Sequence, residues 1–347
     1  MRTEDIWWKR LSNPVNLVDS IVDSLIENRS VVVVHRMEIP WEDTFRGAVI
    51  DSFSLYNSSM RSKYHLIEKD TDPGVFLMEK YCTIEEQGRY WKPSGSRAKF
   101  LAESKTTSLN RNHLLLDIKG TAQEWIDFID EYSSYFPPDD EHGLFILFTN
   151  DLNIKGTKYI DRYYYDEKVS SFDSLLLCMT VLSGQKCNTS IKQYISEIAV
   201  SIAGKNVECA GRLAEYGEEL AKRPYDIASS VLSNEEKPHD VDELIIALWQ
   251  AQIKVMFPIL EQFRLQLITK HEKQIELALR HTSGTYKEKN IYELEIGELY
   301  HLCKTNRILP TSDYNWLAKI RDARNSLAHW EILGYDSISE MIIAIQH

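Results

Sequence analysis

The stretch Trp316–Trp330, WLAKIRDARNSLAHW, concentrates two guanidiniums, a carboxamide and an imidazole in one amphipathic segment. Taking Arg321 as zero and about 100° per residue, Arg324 falls near −60°, Asn325 near +40° and His329 near +80°. Ile320, Ala323, Leu327, Trp316 and Trp330 gather on roughly the opposite side, so the spacing predicts a helix with one apolar and one polar face. The polar face has the groups that metal-free RNA cleavage needs. In that reaction the 2′-oxygen attacks phosphorus, the 5′-oxygen leaves, and a proton must be taken from one and given to the other. Histidine titrates where such transfers run near neutrality. Arginine stays charged and offers a planar fork to the phosphorane-like transition state. Asn325, one turn before His329, has the reach to orient the ring or to donate to the phosphate. A solvated helix face has a similar composition, so the stripe alone does not separate catalysis from exposure.

The Arg324, Asn325 and His329 arrangement, an arginine and a polar residue followed after three positions by histidine, resembles the motif of the HEPN family. Many members are metal-independent ribonucleases. The resemblance implies an endoribonuclease with Arg324, Asn325 and His329 as catalytic residues, Asn325 as the orienter, and Arg321 as a supporting contact to RNA phosphate. It also implies a homodimer in which two copies of the helix face each other, with no cofactor and no metal. Effectors of prokaryotic antiviral defence and toxin-type stress responses are the settings it suggests. Other HEPN domains act only as sensors or scaffolds that dimerise and bind a protein partner or nucleotide, and that is the alternative.

The elements that would position these residues are helical. Over 239–347 the apolar spacing of Leu244, Leu248, Ile253, Phe257, Leu260, Phe263 and Leu267 predicts a long helix from Val241 to about Leu279, with a kink at Pro258. ELEIGELYHLCK and SISEMIIAI supply further helices of a HEPN-like bundle. Glu261 and Arg264 read as a surface ion pair on the long helix. Residues 171–238 form a helical connecting region, closed by SNEEKPHD (233–240) as a linker.

Residues 1–170 read as an α/β domain with a parallel sheet. The β-branched run SVVVV (30–34), then LLLDI (114–118) and LFILF (144–148), predict buried strands. Helices are expected from Asn13-Pro14, from near Trp41 with Phe45, Val49 and Phe53, and over Glu124–Tyr132. Asp117 at the end of LLLDI looks like the acidic strand of a P-loop ATPase, and it equally suits a turn or cap. The turn His35–Asp43 has no glycine, and the chain contains neither G-x-x-x-x-G-K-[ST] nor G-x-G-x-x-G. The region therefore resembles a degenerate STAND-like ATPase core without its phosphate loop. Between 60 and 112 the pattern weakens and reads as an insertion or irregular connection. There Arg89, Lys92, Arg97 and Lys99 interleave with Tyr90 and Trp91, as a solvated loop or a nucleic-acid contact would. Tyr159, Tyr163, Tyr164 and Tyr165 read as a strand packed on the core.

Charge narrows the partners. The net charge is −12 over 347 residues, and from residue 239 onward 12 Lys and Arg face 15 Asp and Glu. That excludes a broad sequence-independent nucleic-acid surface but not a local cleft. The five cysteines are scattered, which signals no zinc site or disulfide framework and suits a reducing cytoplasm. No run approaches the apolar length of a membrane span, and the polar start MRTEDIWWKR lacks a signal-peptide core.

Overall fold

The computed structural model describes residues 2–57, 61–104, 106–137, 142–232, 240–281 and 290–345. The chain divides into two compact units, 1–177 and 178–347. Of the linker SNEEKPHD, residues 233–239 lie outside the described residues.

The first unit is built on a five-stranded parallel sheet. Its strands are β1 (Ser30–Val34), β2 (Arg61–Ile67), β3 (Asn112–Ile118), β4 (Leu144–Thr149) and β5 (Ile160–Tyr164), in spatial order β2-β3-β4-β1-β5. The three expected buried strands are here, with Val33 opposite Phe148 and Leu116 opposite Leu147. The tyrosine cluster supplies β5, which holds Tyr163 and Tyr164, while Tyr165 starts a short helix. β1, β3 and β4 are buried along their whole length, which is why they read as unbroken apolar runs. The pleat divides their side chains between two cores. Val32, Leu114, Leu116, Phe145 and Leu147 face a cluster with Leu77, Leu101, Trp125 and Ile129. On the other face Phe148 meets Phe45 edge-on at 5.9 Å between ring centroids, and Trp8 stacks on Phe45 at 4.3 Å.

The region 60–112 is not an irregular insertion. It contains β2 and the helices Pro73–Tyr81 and Arg97–Glu103. β2 is an edge strand whose residues are mostly exposed, so RSKYHLI carries no apolar alternation. Its basic and aromatic residues are engaged locally. Arg97 lies 5.5 Å over the Tyr90 ring and 3.7 Å from Asp72, while Trp91 is 68% exposed.

In the second unit the helices between 189 and 232 share one hydrophobic core with those after Asp240, from Ile191 and Ile198 to Leu317 and Met341. The central element is the helix Val241–Lys270, which buries Leu244, Leu248, Val255, Leu260 and Leu267. It is shorter than expected: His271 breaks the pattern and a separate helix runs Glu272–His281. Pro258 sits inside it, unable to donate to the carbonyl four residues back. Contrary to the sequence expectation, this helix is long and apolar enough to cross a membrane, with a mean hydropathy of 1.4 over its most apolar window. Its apolarity is that of a bundle's core helix, packed by others along much of its length.

His113 in β3 gives the first unit a pH dependence. The imidazole is buried against Phe53, Nε2 has no hydrogen-bond partner among the described residues, and burial holds its pKa down at about 4. Between that value and about 6.5 the unfolded chain binds a proton that the folded chain refuses, so stability falls as pH falls through this window. Urea unfolding of the full chain should lose about 2 kcal/mol between pH 7 and pH 5. His113→Leu should flatten that slope; an unchanged slope would acquit His113.

Candidate functional site

The motif helix runs Thr311–Ala328, starting earlier and ending sooner than its apolar periodicity suggests. Its first turn carries Asp313, which accepts from Lys270 Nζ at 2.8 Å and contacts His271 Nε2 at 2.6 Å, at the end of the central helix. Burial pushes the Asp313 carboxyl up, but the hydrogen bonds from Lys270 and His271 outweigh it and hold the group below its usual range. Leu317, Ile320, Ala323 and Leu327 form the buried face.

The C-terminus of this helix is a Schellman turn. Glu331 N–H donates to Ser326 O at 2.9 Å, and Trp330 N–H reaches Leu327 O at 3.4 Å. Trp330 occupies the left-handed position that usually belongs to glycine, with φ 65°. It is not part of the buried face, as its wheel position implied: it is 61% exposed and stacks on Trp249 at 4.3 Å and 5°. Trp249 Nε1 also donates to Leu327 O at 2.7 Å. Beyond the turn, Gln252 is buried and grips the chain twice, donating to Leu333 O at 2.9 Å and accepting from Leu333 N–H at 2.8 Å. Its amide also donates to Tyr194 Oη at 3.1 Å. The segment carrying His329 is thus pinned to the central helix at both ends.

The four candidate side chains behave differently. Arg321 is turned onto the neighbouring helix Ile296–Asn306, with its guanidinium 3.7 Å over the Tyr300 ring and 2.5 Å from Asp322. Arg324 is loosely held, 3.5 Å from Glu295 and 3.5 Å from the Asn325 carboxamide oxygen. Asn325 is exposed. His329 is exposed just past the helix end, and its ring has no hydrogen-bond partner among the described residues. Its N–H still closes onto Asn325 O at 3.0 Å, so the helical turn persists to that point. Arg324 and His329 are five residues apart and therefore project about 140° apart.

Arg324 lies on the wall of a cavity of about 520 Å³, with Phe257, Pro258, Glu261, Leu294 and Glu295. Arg264, expected as half of a surface ion pair, is only 8% exposed and organises this cavity from behind. Its Nε donates to Glu261 at 2.9 Å, while Nη1 donates to Tyr292 O at 2.9 Å and Leu294 O at 2.8 Å. The sequence did carry a signal: Arg264 falls in line with Leu260 and Leu267 on the buried stripe, where a charged residue must find partners.

The sheet of the first unit offers a second place to look. The chain leaves β1 for the far edge and leaves β4 for the opposite side, so the carboxyl ends of β1 and β4 form the topological switch point where open α/β sheets bind ligands. Here the protein occupies it. Arg36 and Met37 N–H groups in the turn after β1 donate to the Asp166 carboxylate at 2.7 and 3.2 Å. The following helix Glu42–Ser54 begins with Glu42 and Asp43, both paired with Arg46 at 2.6 Å. Asp117 is neutralised by Lys119 at 3.0 Å and touched by Tyr64 Oη at 3.3 Å. Carboxylates at a helix N-terminus repel a phosphate, and a lysine on Asp117 stands where a cation would have to sit.

No family model matches the chain, and no curated protein matches it in sequence.

The anchoring predicts a contrast in stability. Gln252→Ala strands the Leu333 amide and carbonyl and should cost about 3 kcal/mol, and Trp249→Phe, which keeps a ring under Trp330, about 1 kcal/mol. Arg324→Ala and His329→Ala, both on the surface, should stay within about 0.5 kcal/mol. Denaturant midpoints of the four variants check this; a large loss at Arg324 or His329 would make those residues structural.

Proposed function

We propose that this chain is a metal-independent endoribonuclease of HEPN type that works as a homodimer. The observation that carries the reading is the state of His329: an exposed imidazole without a hydrogen-bond partner among the described residues, on a turn pinned by Trp249 and Gln252. A rigid backbone under a free imidazole suits proton transfer, where geometry must be kept while the ring changes charge. Arg324 complements it, held only by 3.5 Å contacts that an RNA phosphate would replace with shorter charge-assisted bonds.

The divergence of Arg324 and His329 supports two copies per site. Side chains about 140° apart on one helix do not converge on one phosphate, whereas His329 of one copy and Arg324 of a second can. In this scheme His329 moves the proton between the 2′-hydroxyl and the departing 5′-oxygen, and Arg324 bears on the phosphorane oxygens. Asn325 donates to the phosphate, while Arg321, turned onto Tyr300, contributes charge at longer range. The first unit serves as a degenerate P-loop-like regulatory module, its switch point filled by Asp166 and Lys119. A defence or toxin-type effector acting on cytoplasmic RNA, under a protein regulator, is the setting that fits. The engagement of Arg321 with Tyr300 and Asp322 favours a binding-only HEPN scaffold, because it removes a cation from the phosphate, and the net charge of −12 and the missing phosphate loop point the same way.

Purified protein incubated with total RNA and tRNA in EDTA should leave 2′,3′-cyclic phosphate ends. His329→Ala and Arg324→Ala should each reduce cleavage by at least about a hundredfold. Mixed dimers of the two variants should recover part of the activity, since one of their two sites is intact. Loss of activity in EDTA would end the metal-free reading, and no cleavage by folded dimer would favour the scaffold.

A further inference from the structure

We infer that the cavity beside Arg324 is a nucleobase subsite selective for guanine, an inference that rests on the ribonuclease reading. The volume, about 520 Å³, is that of a small-ligand site. Phe257, Pro258 and Leu294 are among its lining residues, apolar and aromatic groups of the kind an unstacked base packs against. The polar groups are unequal in what they have left to offer. Arg264 spends its guanidinium on Glu261 and on the carbonyls of Tyr292 and Leu294, so these neighbours are already engaged. Glu295 is different. Its side chain is 72% exposed, and among the described residues its carboxylate serves the cap of the following helix and the 3.5 Å contact with Arg324.

A carboxylate has about four acceptor positions, so Glu295 can still receive two parallel donors. Guanine presents such a pair, N1–H and the N2 amino group, on its Watson–Crick edge. Adenine and cytosine offer a single amino group there, and uracil a single imide N–H. Seating guanine on Glu295 also frees Arg324 to turn to the adjoining phosphate. Base recognition and charge delivery are thereby coupled through one carboxylate.

Calorimetric titration of the full chain with the four nucleoside 3′,5′-bisphosphates tests this without requiring cleavage. The guanosine compound should bind at least about tenfold more tightly than the others, a bidentate margin that Glu295→Gln should abolish. Phe257→Ala should weaken all four by about tenfold through loss of the stacking wall. Equal affinity for the four, or a guanosine preference that survives Glu295→Gln in protein of unchanged melting temperature, would overturn the inference. Guanosine selectivity in a protein that cleaves no RNA would remove the ribonuclease reading and leave the subsite. Cleavage without base selectivity in binding would do the reverse.

Discussion

The polar side chains that the helix Val241–Lys270 carries into its own packing surface hold the second unit's site in place. An apolar core helix gains stability by burial, but burial alone is not directional and does not set where a loop lies. Gln252 and Arg264 supply direction. Each is buried, and each bonds backbone from a distant part of the chain, Leu333 for Gln252 and Tyr292 and Leu294 for Arg264, besides a side chain, Tyr194 and Glu261 respectively. Leaving either side of such a contact unpaired costs more than forming it returns, which makes the arrangement all-or-none. Trp249 adds a third tie at the last turn of the motif helix.

Those ties leave the chemically interesting residues free. His329 sits on a turn tied at both ends to the central helix, and among the described residues neither its side chain nor that of Arg324 has a close partner. The left-handed Trp330 belongs to the same logic. A tryptophan there is conformationally costly, about 1 kcal/mol or more, and the stack on Trp249 offsets it while fixing the turn that presents His329.

The first unit shows the opposite solution. Its sheet has the topology that creates a ligand crevice, and the crevice is closed by charge pairing within the protein. Asp166 sits on the amides after β1, Arg46 is bound to Glu42 and Asp43, and Lys119 covers Asp117. The carboxylates Glu42, Asp43 and Asp117 each have a cationic partner, and the amides of Arg36 and Met37 are taken by the Asp166 carboxylate.

The sequence by itself determined the buried strands β1, β3 and β4, the helices that begin near Asn13, Trp41 and Glu124, and the polar and apolar faces of the motif helix, but not the helices Pro73–Tyr81 and Arg97–Glu103. Where one face or both are buried, hydrophobic periodicity reports the element directly. It did not reveal β2, whose mostly exposed residues carry no periodicity, nor the break at His271 that ends the central helix. Its reading of Trp330 failed because the wheel assumes a helix that in fact ends at Ala328 with a backbone turn. Only the tertiary structure decided that Arg264 is a buried organiser and not a surface charge, that Arg321 turns onto Tyr300, and that Asp166 fills the turn after β1. These depend on contacts between residues far apart in the chain, and a side chain's partners across a core leave no trace in local spacing.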